Sequence, residues 1–355
     1  MRKIYLTAAA IFTALSIIAN GLFSLRVSAV DIESGYCGED LVWSFSIDTL
    51  TITGTGEMED YKYDEHAPWY EYRESITKID LDEGITHIGN YAFHKCFRFS
   101  TIRIPDSVKS IGDGAFFNSG FLQYIEFPDS LEHIGVYAFA DCYFLKEISI
   151  PKGVKEIDQG TFDDCWRLKT VTIPDGVISI GYWAFDNCKA LESIDIPASV
   201  KTIGMGAFTN CPVLRSAAIP EGVEEILDYT FENCSALESV IIPDSVKAIR
   251  LAAFEDCQSL ETVIVPENVE AIALFAFQNC KNAVIYYPSS AEVNERSFEN
   301  TKAAVKYEVR NGKAYITEIT GDTDRIVFPK KISGHEVVYE DVSSGAGIYG
   351  YCEII

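Results

Sequence analysis

Leu122-Gln123-Tyr124-Ile125-Glu126-Phe127-Pro128-Asp129-Ser130-Leu131-Glu132-His133-Ile134-Gly135-Val136-Tyr137-Ala138-Phe139-Ala140-Asp141-Cys142 is one copy of a phrase that returns every 23 residues. One step on, it reads Leu145, Ile148, Ile150, Pro151, Val154, Ile157, Phe162 and Cys165. Its phenylalanine falls at Phe93, Phe116, Phe139, Phe162, Phe185, Phe208, Phe231, Phe254 and Phe277 without insertion or deletion. Its proline keeps the step from Pro105 to Pro266 and slips by one only at Pro288. A period of about 20–29 residues held this strictly marks a solenoid in which each repeat is one coil.

The phrase translates into geometry. Ile125 and Phe127 stand two apart and face one side of a short strand. Pro128 removes a backbone donor and ends the pairing. Ala138-Phe139 predicts a tight helical turn that drives a ring inward, and Cys142 closes the coil as a small apolar side chain. One coil buries too little to offset the ordering of its own backbone. Stacked coils bury each other's flanks, so stability becomes a sum of neighbour interfaces. The expected fold is an α/β-type repeat solenoid: a right-handed coil with a parallel sheet on one face, short helical or 3-10 turns, and β-rich caps.

The phrase resembles the BspA-like branch of the leucine-rich repeat family of bacterial and protist surface proteins, over roughly residues 76–300. The resemblance implies a curved solenoid, a parallel sheet on its concave side, and a role in adhesion or protein binding. Fold alone does not fix function, which lies in sites grafted onto it.

Outside the repeats, Met1-Arg2-Lys3 followed by the uncharged run Ile4–Leu25 and by Val27-Ser28-Ala29 reads as a secretory signal over residues 1–29. An uncleaved signal anchor is the alternative, since such a run can span a bilayer. Either reading puts the protein outside the cytoplasm, secreted or at the cell surface. Residues 30–75 form an N-terminal β-hairpin cap. Its hairpin turns around Asp48-Thr49, and Trp43, Phe45 and Ile47 share a face. The Ala67-Pro68-Trp69-Tyr70 stretch that follows is similar to the segment preceding the repeats in that family. Residues 301–355 are a C-terminal β-rich cap or degenerate coils, with a hairpin around Asn311-Gly312.

Without the basic residues Arg2, Lys3 and Arg26, 26 Lys+Arg stand against 53 Asp+Glu, a net of −27. A chain that acidic repels nucleic acid and anionic membranes. Cys96, Cys142, Cys165, Cys188, Cys211, Cys234, Cys257 and Cys280 occupy one repeat position, with Ser119 as the ninth member. Their parallel Cβ vectors suit buried free thiols rather than disulfides. Cys37 and Cys352 lie near opposite ends and do not pair.

Candidate sites come from outward columns. On the sheet face, one column contains Tyr124 and Glu147, and the next contains Glu126, Asp195, Ala218, Ile241 and Ile264. The second turns apolar at its end, an exposed strip of the kind that marks partner sites unless the C-terminal segment covers it. Two residues before each phenylalanine, large and small alternate: Tyr91, Gly114, Tyr137, Gly160, Trp183, Gly206, Tyr229, Ala252, Phe275. Packing of each ring over its small neighbour accounts for this. The sharper alternative is a row of aromatic platforms (Tyr91, Tyr137, Trp183, Tyr229, Phe275) for a polysaccharide. Acid gathers after the phenylalanines, at Asp163, Asp164, Asp186, Glu232, Glu255 and Asp256, where side chains more often bond their own backbone than hold metal. No nucleophile elbow, zinc helix or phosphate loop occurs. The expectation is a non-catalytic protein with no cofactor, metal or small-molecule substrate. It binds an extracellular protein, or a polysaccharide, or serves as a spacer in an envelope assembly.

Overall fold

The computed structural model of the chain describes residues 32–322, 326 and 328–338. Residues 1–29, expected to be a secretory signal, Cys352 and the end of the chain lie outside the described residues.

The phenylalanine column is continuous. Phe139 lies on Phe162 with centroids 5.8 Å apart, and Phe162 on Phe185 at 5.5 Å, the rings within 14° of parallel. The file runs unbroken from Phe93 to Phe277, and Phe298 in the degenerate last coil still stacks on Phe277 at 6.0 Å. One apolar core therefore extends along the repeats.

Each coil has three sides. The first is the expected strand, which pairs parallel with its counterpart one repeat on, as in Thr101↔Tyr124 and Arg103↔Glu126. A β-turn follows, closed by the bond from Val108 N–H to Pro105 O, and it recurs as Leu131 to Pro128 and Val154 to Pro151. The second side is a ladder the sequence reading missed: two-residue strands Ser110–Ile111, His133–Ile134, Ser179–Ile180 and their successors, again paired in parallel. Only one inward position, the isoleucine of V-x-x-I, marks it in sequence, which is too short to show a period of two.

The third side corrects the expectation of helical turns. The one helix among the described residues is the 3-10 turn Tyr70–Tyr72, in the cap. In the repeats, alternate N–H groups leave the coil. Ala115, Phe117 and Ser119 donate to Gly112, Gly114 and Phe116 within it, while Gly114, Phe116 and Asn118 donate to Val136, Ala138 and Ala140 of the next. A helix would keep those bonds within its own segment. Positive φ breaks it as well, on both sides of each phenylalanine: Tyr137 (54°) and Asp141 (60°) around Phe139, Trp183 (52°) and Asn187 (55°) around Phe185. Glycine, Asn and Asp are the residues that accept this region most readily, which explains their recurrence here. The protein is a β-solenoid, not an α/β one.

The caps are β-rich as expected. Strands β1 (Glu33–Tyr36), β2 (Asp40–Ser46) and β3 (Thr49–Glu57) form an antiparallel sheet. β3 then pairs in parallel with β4 (Lys78–Leu81) and β5 (Ile85–Ile88), covering both ladders of the first coil at once. Ile47 differs from expectation. Pairing of Ser46 with Thr49 puts it in the two-residue turn, at φ 60° and 80% exposed, while Trp43 alone is fully inward. At the other end, Ala303–Arg310 and Lys313–Gly321 make the hairpin around Asn311-Gly312, both at positive φ as this turn demands. Ala303–Arg310 pairs in parallel with Val284–Pro288, and a second small core forms beneath.

Candidate functional site

The outward columns of the first side are solvent-facing. Tyr124, Glu126, Glu147, Asp195, Ala218 and Ile241 are exposed, Ile241 by 67%. Ile264 is half-buried against the second core, so the C-terminal hairpin covers the end of the apolar strip. What stays open is Ala218 and Ile241, paired with each other across the two strands as Ser216 is with Ser239.

At the N-terminal half this face carries a shallow groove of about 730 Å³. Five successive coils line it, among them Asp80, Arg103, Tyr124, Glu126, Glu147 and Thr170. Three of the expected site residues (Tyr124, Glu126, Glu147) meet here, while Asp195, Ala218 and Ile241 lie further along the solenoid. Sequence reasoning missed Lys78 and Asp80, which are paired at 2.6 Å. They stand on β4, where Asp82 replaces the usual proline and the phrase is weakest. Arg103 is braced by Glu83 at 3.3 Å and Asp106 at 3.0 Å. The Lys146 ammonium donates to Tyr124 Oη at 3.2 Å and lies 4.9 Å from that ring's centroid. The groove thus alternates charges of both signs around an aromatic ring. Such a surface can align hydrogen bonds and ion pairs along an extended partner.

The alternating column sits on the third side, at the positive-φ position. A Cβ built on Gly114 would fall 2.3 Å from the Tyr91 ring, one on Gly160 2.1 Å from Tyr137, and one on Gly206 2.5 Å from Trp183. Each ring therefore lies flat on the next coil's glycine, as the packing account requires. Arg296 covers Phe275 in the same way, its guanidinium 4.6 Å from the centroid. Tyr91, Tyr137, Tyr229 and Phe275 are half-buried, and Trp183 is 37% exposed.

The thiol column is buried and unbridged among the described residues. Cys142, Cys188 and Cys280 each donate to a phenylalanine carbonyl one coil before, at 3.4, 3.4 and 3.0 Å. Ser119 makes the same bond to Phe93 O at 2.8 Å, which explains why a serine stands in for the cysteine there. Burial pushes Cys96 and Cys234 up to about 12 and holds the other thiols of the column above their ordinary value. They are donors and packing groups, not nucleophiles.

Among the acids near the phenylalanines, Asp163 is pushed up to about 7 by burial, then by Asp186, Asp164 and Asp141. Its Oδ1 is buried without a hydrogen-bond partner. No group of three potential metal ligands occurs among the described residues, and no described helix is long and apolar enough to cross a membrane.

The BspA type leucine rich repeat region matches this chain in 6 copies, over residues 68–192 and 179–304. Solved structures similar to it include a leucine-rich repeat protein from Eubacterium ventriosum, 21% identical over 76% of this chain and 94% of that one, with a TM-score of 0.46. A leucine rich cell surface protein from Faecalibacterium prausnitzii is 24% identical over 75% and 92%, with a TM-score of 0.44. The pneumococcal vaccine antigen PcpA is 18% identical over 86% and 98%, with a TM-score of 0.38. No curated protein sequence matches the chain.

Proposed function

The chain belongs to the BspA type leucine-rich repeat family, and from that premise we propose a non-catalytic binding protein of the cell exterior that holds a protein partner along the first side of its solenoid. The observation that carries this is the groove in which five coils present Asp80, Arg103, Tyr124, Glu126 and Glu147 at successive steps of one sheet face. Strand spacing of about 4.8 Å gives an extended partner a regular series of contacts. Ala218 and Ile241 add an apolar anchor further along. The basic start and the uncharged run Ile4–Leu25 support export. A polysaccharide partner is the weaker reading, because the aromatic rings proposed for it already spend a face on the neighbouring coil.

A photo-cross-linking residue at Tyr124, compared with one at Lys201 on another side, tests the site against a panel of extracellular matrix and cell-surface proteins. Capture through position 124 that disappears with the charge reversals Arg103→Glu and Glu147→Lys is the expected result. Equal capture from both positions, or capture indifferent to the reversals, sinks the reading.

A further inference from the structure

Six of the eight described arginines pair with a carboxylate: Arg73, Arg103, Arg215, Arg250, Arg296 and Arg310. The two that form no ion pair among the described residues, Arg98 and Arg167, share one repeat position. That column runs Arg98, Phe121, Phe144, Arg167: cation, ring, ring, cation. Phe121 is 52% exposed and stacks on Phe144 at 5.0 Å and 11°. The Arg167 guanidinium closes the stack 4.1 Å above Phe144. Beside it runs a second, tilted ring pair that also carries a cation. Tyr143 lies 4.6 Å from Trp166, which is 43% exposed, and the Lys189 ammonium sits 4.1 Å over the indole.

In a protein this acidic, Arg167 and Lys189 lie over aromatic rings and form no ion pair among the described residues, which leaves their charge for an anionic partner. Phe121 and Phe144 meet face to face, so their edges, which carry the positive end of the ring quadrupole, are left for a partner, while Tyr143 and Trp166 meet at 47°. The polar tips are fixed: Tyr143 Oη–H donates to Asp141 at 2.9 Å and Trp166 Nε1–H to Asp164 at 2.8 Å. Cations held over rings lose little further freedom on binding, and exposed Trp, Tyr and Arg dominate protein interfaces energetically.

We infer that this corner is a second docking surface, separate from the sheet-face groove, for a polypeptide segment that carries carboxylates among apolar side chains. Charge complementarity selects the carboxylates, and the exposed ring edges select the apolar groups. A continuous polyanion fits poorly. Asp141, Asp163 and Asp186 form a ridge next to the ring pairs, and a polymer charged at every unit would lie across it.

The test is fluorescence anisotropy of a labelled glutamate–tyrosine copolymer with the full chain, with polygalacturonate as the competing chemistry. The copolymer should bind, and Arg167→Gln combined with Lys189→Gln should weaken it on the order of tenfold. Phe121→Ser should weaken it through the ring edges, while Lys201→Gln, away from both surfaces, should leave it unchanged. All four side chains are exposed, and unchanged thermal melts keep folding out of the comparison. No binding of the copolymer overturns the proposal. Equal binding of polygalacturonate, or loss confined to Lys201→Gln, overturns it too.

Discussion

The indole of Trp69 lies on the ring of Phe93, centroids 5.9 Å apart and 27° from parallel, and its Nε1–H donates to Ala92 O at 2.8 Å. The cap thus supplies the ring that a preceding coil would have supplied, together with a bond to the exposed backbone of the first turn. Because coil stability is passed from neighbour to neighbour, this contact controls fraying from the N-terminal end. Trp69→Ala should cost about 3–5 kcal/mol. Hydrogen exchange should then speed up in the first coils and stay slow around Phe208.

Gly160 stands at φ 59° under the Tyr137 ring. Gly160→Ala meets two penalties, about 1–2 kcal/mol for the left-handed backbone and about 1–3 kcal/mol for overpacking. In a Tyr137→Ala background the second should vanish. A double-mutant cycle by urea denaturation reads the difference, and a coupling near zero would show that the ring does not press on the glycine.

The thiols of the column should ignore Ellman's reagent at pH 8 in the native state, since burial holds them protonated. In a Cys352→Ser background, urea should release all nine of the described cysteines at once. Cys188→Ser should cost less than Cys188→Ala, because Ser119 already makes the bond that Cys188 makes. Fast reaction of any one thiol in the native protein would place a gap in the core.

Asp163 holds its proton more tightly folded than unfolded. Its contribution is therefore fully present below the ordinary carboxylate value and is lost as pH rises from there through about 7. Asp163→Asn should raise the denaturation midpoint at pH 7.5 and leave it unchanged at pH 4. The reverse order would contradict burial as the dominant cause.

Ile241 and Val240 are adjacent but opposite, 67% and 8% exposed. Ile241→Asp should change stability by less than about 0.5 kcal/mol, the range of an exposed surface site. Val240→Asp should unfold the surrounding coils, because it buries an unpaired charge. Circular dichroism melts separate the two.

Much of this was legible in the sequence for a physical reason: identical spacing forces identical winding. The phenylalanine file, the thiol column, the outward strand positions and the Asn-Gly hairpin all follow from register. What was not legible depends on bonds between coils. Ala138-Phe139 reads as a helical turn by composition, yet its alternate N–H groups serve the next coil. The second ladder has too few residues to announce itself. Ile47 continued an alternating pattern on paper, but the turn falls one residue earlier than the pattern suggests. The ring pairs around Phe121 and Trp166 escaped notice because they span only three or four repeats and so leave no periodic trace. Lys78 and Asp80 were hidden by the imperfect first copy.

The large-and-small alternation of Tyr91, Gly114, Tyr137, Gly160, Trp183, Gly206, Tyr229, Ala252 and Phe275 means that neighbouring coils are not interchangeable. The true structural quantum is a pair of coils, 46 residues. Excising a single coil brings two rings into the same space or leaves two glycines facing an empty slot; excising two restores the pattern. A lineage that lengthens or trims this protein is thereby confined to even steps, a parity rule written by ring size alone.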